Sequence, residues 1–126
     1  MCLFIKGSKI PKIAKNDIVV YKSFSTYWLK KNNSLVSPIM MYDYGKFKYS
    51  KVIKAKGLNW KAIKFILKGR VYGGFIHCLK YNAGLDIRCI IPKGTLYYEG
   101  SNGELCARKL FVYKQKYNGR VSYFEL

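Results

Sequence analysis

The chain has 126 residues, enough for one domain with a modest core. Half of its residues are apolar and 17% are aromatic, which excludes a disordered chain, and no apolar run approaches the roughly 18 residues of a membrane-spanning helix. Its 24 basic side chains face six acidic ones, a net charge of +18, and self-repulsion on that scale points to a negatively charged partner.

The acids are Asp17, Asp43, Asp86, Glu99, Glu104 and Glu125. An AT-rich genome would also enrich Lys, Asn, Ile and Tyr, but it would supply Asp and Glu as well. Their shortage therefore favours a polyanionic partner over codon bias. The opening MCLFIKGSK has a short apolar run with no basic flank before it and does not read as a secretion signal. A cytosolic setting is expected, with Cys2, Cys78, Cys89 and Cys106 as free thiols.

Residues 6–16, KGSKIPKIAKN, form a basic arm. Lys6, Lys9, Lys12 and Lys15 recur every third residue around Pro11, so a polyproline-like arm would carry all four ammonium groups on one face. DIVVYKSF (17–24) is rich in β-branched residues and predicts a strand. Residues 25–38 have no clean period and end in turn chemistry, which predicts a loop. Asp43–Tyr44–Gly45 reads as a tight turn between two strands. After it, Lys46 and Lys48 share one parity and Phe47 and Tyr49 the other, which would make one strand face basic and one apolar.

NWKAIKFILKG is the one predicted helix, short and amphipathic, with Asn59 as its N-cap and Gly69 as its stop. Trp60, Ile63, Ile66 and Leu67 fall in one apolar sector, expected to dock on a sheet, while Lys61, Lys64 and Lys68 form a stripe aimed at solvent. Gly73–Gly74 implies a bend or a close backbone approach. Pro92–Lys93–Gly94 suits a turn, EGSNGE a hairpin loop, and Asn118–Gly119 a second hairpin. The C-terminal half thus reads as a meander of short strands. The expected fold is a single α+β domain spanning residues 1–126: a mainly antiparallel, twisted sheet with one helix against it.

Chemistry is sparse. The single histidine, His77, adjoins Cys78, but on a strand neighbouring side chains point to opposite faces and cannot share a proton. A cross-strand pair of His77 with Cys89 or Cys106 stays open, so the alternative is a small enzyme or nucleotide-ligand binder centred on His77 and Cys78. No CxxC or HxxxH predicts a metal site, and no glycine-rich phosphate cradle is present. Glu99 and Glu104 flank one loop without an evident role, and neither a catalytic residue nor a cofactor is assigned.

Lysines instead interleave with aromatics: Tyr21–Lys22, Tyr42–Lys48, Lys64–Phe65 and Tyr113–Lys116. Lysine neutralises phosphate as a point charge and aromatics stack on unpaired bases, a combination suited to RNA or single-stranded DNA. With four arginines (Arg70, Arg88, Arg108 and Arg120), base-edge readout is less well supplied. Candidate contact residues are the arm lysines, Lys46 and Lys48, the helix stripe, and Arg108, Lys114 and Lys116 near the C-terminus.

DIVVYKSF (17–24), YDYGKF (42–47), GGFIHC (73–78) and IIPKGTLYYEG…LCARKLFVY (90–113) resemble, in order, the segments of a loose group of small phage and prophage domains of unassigned function. This chain departs from the group's pattern by Ile76, inserted between Phe75 and His77. The resemblance implies a setting in which a mobile element meets its bacterial host. There the expectation is a non-enzymatic binder of nucleic acid or of a host nucleoprotein, acting as an inhibitor of a CRISPR-type defence complex. The alternatives are an accessory nucleic-acid binder without inhibitory role and a protein-only inhibitor docking on an acidic surface.

Overall fold

The β-branched run Ile18-Val19-Val20 opens the strand at the middle of the main sheet. The computed structural model describes residues 3–7, 9–38, 40–82, 86–101, 103–117 and 122–124, with the side chains of Asp86, 115–117 and 122–124 excepted. Cys2, the Asn118–Gly119 turn and the Lys116 side chain lie outside the described residues. In chain order the elements are β1 (Leu3–Phe4), β2 (Lys12–Ile13), β3 (Ile18–Ser23), α1 (Thr26–Asn32), β4 (Ser34–Val36), β5 (Asp43–Lys46), β6 (Lys51–Lys54), α2 (Trp60–Leu67), β7 (Arg70–Val71), β8 (Ile76–Leu79), β9 (Asp86–Ile91), β10 (Leu96–Glu99), β11 (Glu104–Ala107), β12 (Lys109–Val112), β13 (Gln115–Tyr117) and β14 (Ser122–Phe124). The fold is α+β, built on a large antiparallel sheet.

Eight strands run in the order β2-β10-β11-β8-β3-β9-β12-β6. β3 pairs with β9 along its whole length, from Ile18 opposite Ile91 to Ser23 opposite Asp86. This is not a sequential meander. β3 separates β8 from β9, and β10–β11 is the one pair of neighbours joined by a short hairpin loop among these described strands.

The order requires the sheet to curl. Arg108 alone separates β11 from β12, yet the two lie four strand positions apart. A flat sheet would put them about 19 Å apart at about 4.8 Å per strand, whereas the step from Ala107 to Lys109 reaches at most about 7 Å. The sheet therefore closes on itself like a small barrel. Arg108 makes the closure: its N–H donates to the Leu96 carbonyl at 3.0 Å and its carbonyl accepts from Ala55 N–H at 2.8 Å. Its guanidinium donates to the Gly74 carbonyl and lies 5.6 Å from the Phe75 ring centroid.

The enclosed core holds Val20, Ile87, Cys89, Ile91, Leu105, Leu110 and Val112, and each is buried. A second cluster, Leu3, Val71, Tyr98 and Cys106, packs on the outer face under Ile66 of α2. β11 is buried on both faces because Leu105 and Ala107 point inward while Cys106 points to the second cluster. Each fully buried aliphatic here contributes about 1.5–3 kcal/mol.

α2 starts where expected. Asn59 Oδ1 accepts from Ala62 N–H at 3.0 Å, and Gly69 follows the helix with φ +81°. The face it buries is only in part the expected one: Ile63 and Ile66 are half-buried, and Ile66 packs on the second cluster. Ala62 is buried and Phe65 and Ile66 pack inward, while Trp60 is 77% and Leu67 66% exposed. Gly73–Gly74 lies against this part of the chain. A Cβ at Gly73 would lie 3.7 Å from Ala62 Cβ, and one at Gly74 would lie 2.7 Å from Leu58 Cδ1. The tight approach is therefore between Gly74 and Leu58, just before the helix, while Gly73 meets Ala62 at ordinary contact distance.

Gly74 also has φ +79°. Gly74→Ala combines left-handed strain with overpacking and should cost about 3 kcal/mol. Gly94→Ala, at φ +86° with open space around the new Cβ, should cost about 1 kcal/mol from strain alone. Urea midpoints of the two variants test the difference.

Three local expectations are corrected. Residues 25–38 are not a loop: α1 and the fully buried β4 lie there. The turn-like Asn33 ends α1 in the left-handed region at φ 52°, and its side chain donates to the Phe47 carbonyl at 3.0 Å. Asp43–Tyr44–Gly45 is part of β5, while 47–49 turn. Phe47 is consequently buried and Tyr49 exposed rather than side by side. Nor is the basic arm free-standing. β1 pairs with β7, Lys6 N–H donates to the Glu99 carbonyl, and β2 pairs with β10.

Candidate nucleic-acid interface

Docking of the arm redirects most of its lysines. Lys12 forms an ion pair with Glu99 at 3.6 Å, and Lys80 bonds the same carboxylate at 3.2 Å. The Lys80 hydrogen bond, with Lys12 and Lys6 nearby, holds the Glu99 carboxyl below the usual range. Lys9 turns the other way and caps α2, donating to the Leu67 carbonyl at 2.8 Å, where the helix dipole favours a cation. Lys15 is exposed. The four arm lysines thus do not share a face.

The remaining candidates also divide. Lys46 donates to the Asn32 carbonyl at the end of α1 at 2.7 Å. Lys48 is exposed in the turn after β5, and Lys114 is exposed with its N–H on Ser50 Oγ at 2.7 Å. Arg108 is held at the strand break by the Gly74 carbonyl and the Phe75 ring.

The structure does gather one patch. At about 100° per residue, Leu67, Trp60, Lys64, Lys68 and Lys61 fall in that order within a sector of about 120° on α2. All five are exposed. The ammonium groups of Lys61, Lys64 and Lys68 take part in no ion pair or hydrogen bond among the described residues, and Lys9 adjoins them at the helix end. Trp60 therefore stands in solvent on the lysine face, not in the core. The sequence feature nearest to a signal is the small Ala62, which is the helix side chain that meets Gly73.

The His77 region is geometrically different from a thiol active site. Ile76 and Cys78 are buried and His77 and Leu79 half-buried, the alternation of a strand. Cys78 donates to the Leu105 carbonyl at 3.5 Å, and burial pushes its thiol up to about 12. Register sets His77 opposite Cys106, but burial also raises the Cys106 thiol far above the physiological range. Neither is a thiolate at neutral pH. Burial, aided by Lys22, lowers His77 to about 4, so the ring is neutral. Its Nε2 faces the Tyr72 carbonyl at 3.3 Å. A carbonyl only accepts, so Nε2 carries the proton and Nδ1 is the acceptor.

Lys22, counted at first only as a neighbour of Tyr21, is itself buried. It shares strand parity with Val20 and Phe24, both core residues, and its ammonium lies 5.6 Å from the Phe24 ring centroid. Among the described residues no three His, Cys, Asp or Glu side chains converge as a metal site, and no helix is long and apolar enough to cross a membrane. No family model matches the chain, and no curated protein or solved structure matches it.

Proposed function

We propose that this protein binds single-stranded nucleic acid, RNA or DNA, without catalysing a reaction on it, through the outward face of α2. The observation that carries this is Trp60, 77% exposed beside Lys61, Lys64 and Lys68 in a chain of net charge +18. An exposed indole costs solubility unless something covers it, and a base stacks on its face while the neighbouring ammonium groups neutralise phosphate. Sequence-independent binding suits the arginines. Arg108 is held by Gly74, and the Arg70 guanidinium lies 5.3 Å from the Phe4 ring centroid and 5.8 Å from that of Phe65. In the mobile-element setting that the resemblance implies, the strand would belong to a host nucleoprotein, and occupying it would inhibit that complex.

A fluorescence titration with single-stranded oligonucleotides tests this. Tryptophan emission should be quenched on binding. Trp60→Ala should abolish the quenching and weaken binding roughly ten-fold, the worth of one stacked base, with Trp28 left as an unresponsive internal reference. Quenching that persists in the variant would remove α2 from the interface. Absence of any oligonucleotide binding would leave an acidic protein surface as the partner.

A further inference from the structure

Beside β3 and β8 lies a cavity of about 150 Å³, close to the volume of an engineered protein cavity that holds one benzene ring. Four aromatic residues line it: Tyr42, Tyr44, Tyr72 and Phe75. The tyrosine hydroxyls are already placed. Tyr72 donates to Met40 Sδ at 3.7 Å, and the Tyr42 hydroxyl lies against Gly57, where an added Cβ would overlap it. Burial raises the Tyr44 phenol to about 12, so it stays protonated. Met40 also lines the cavity and is half exposed, so the cavity reaches solvent at this point. Met40 holds φ 67° and Met41 φ 52°, although neither is glycine. Such strain concentrates at ligand clamps, and methionine adjusts readily to an incoming ring.

The polar wall narrows the ligand class. Lys22, Ser23 and Ser37 line the cavity, but each already has an interaction within the protein, so recognition does not fall to them. Lys22 and Glu104 also set one charge of each sign at the wall. An ion of either sign meets a like charge there and gives up its hydration to a mainly aromatic surface. Nucleotides, carboxylates and amines are disfavoured alike, and an uncharged ring is not. His77 adds one polar requirement. Its Nε2 is used on the Tyr72 carbonyl, which leaves Nδ1 of the neutral ring as an acceptor. Nδ1 takes part in no hydrogen bond among the described residues. A ring with a single hydroxyl donor matches this wall.

We propose that this cavity binds an uncharged single-ring phenol, held among Tyr42, Tyr44, Tyr72 and Phe75, with its hydroxyl donating to His77 Nδ1. The site is independent of nucleic-acid binding by α2. The ring comes either as a free small molecule or as a tyrosyl side chain of another polypeptide, entering past Met40.

His77 is the only histidine, so its imidazole resonances report on this wall alone. The test titrates the full chain at neutral pH with p-cresol, toluene, benzoate, benzylamine and N-acetyltyrosinamide, following His77 by NMR. Saturable His77 shifts are expected with p-cresol, with toluene bound about five-fold more weakly for want of one hydrogen bond. Benzoate and benzylamine should leave His77 unmoved at the same concentrations. N-acetyltyrosinamide binding at least as tightly as p-cresol supports the proposal with a tyrosyl side chain as source, and weaker binding supports it with a free phenol. His77→Leu, followed by equilibrium dialysis, should bring p-cresol down to the affinity of toluene. Equal affinities of p-cresol and toluene for the unaltered chain, benzoate or benzylamine binding as well as p-cresol, or no saturable shift with any ligand would overturn the proposal. These outcomes need no variant, so they decide it even if His77→Leu does not fold.

Discussion

Replacing Lys61, Lys64 and Lys68 together by Gln should weaken single-strand binding roughly 100-fold at about 0.1 M salt. The size follows from counterion release. Each phosphate neutralised on a single strand contributes about −0.7 to the slope of log K against log salt, a factor of about five per lysine at that salt concentration. Three lysines compound to roughly 100-fold. The fold should survive, because all three side chains are exposed and take part in no ion pair or hydrogen bond among the described residues. A parallel triple change at Lys6, Lys12 and Lys80 should do less to binding, since these surround Glu99. Equal losses in the two variants, measured by oligonucleotide titration, would mean that total charge rather than the α2 face governs affinity.

Acid should destabilise the protein through His77. Its imidazole is lowered from 6.5 to about 4 in the folded chain, chiefly by burial and then by the Lys22 charge. The unfolded state therefore binds the proton more readily between these values. Stability from this group is fully present above pH 6.5 and is lost as pH falls toward 4. Over that window the loss approaches about 3 kcal/mol, a large share of the stability of a small domain. His77→Gln removes the titrating group and keeps a polar side chain. Its urea-unfolding free energy should fall less between pH 7 and pH 4 than that of the unaltered chain, by about the same 3 kcal/mol. Parallel curves for the two proteins would show that His77 is not held neutral by the fold.

Much of the local structure was legible because single residues announce it. Asn59 and Gly69 bound α2, Pro92 and Gly94 make their turn, and the Gly73–Gly74 pair marks a close backbone contact. The larger arrangement was not legible, and each failure has a cause. α1 is seven residues long with Leu29 alone buried, too little for a helical period to show. The break at Arg108 lies inside an apolar run, and nothing local says that its two halves pair at distant places in one curled sheet. The faces of α2 overlap in composition, so in the sequence the Trp60 side looked as suitable for docking as the Ala62 side. The lysines are alike in sequence. Only the fold separates Lys9, Lys12 and Lys46, which hold backbone or Glu99, from Lys61, Lys64 and Lys68, which face solvent.

The most direct measurement is the affinity for a single-stranded oligonucleotide across about 50 to 200 mM salt. With Lys61, Lys64 and Lys68 on phosphate, log K should fall against log salt with a slope of about −2, carried by Trp60 quenching. A flat dependence, or no binding at the lowest salt, would contradict nucleic-acid recognition by this surface.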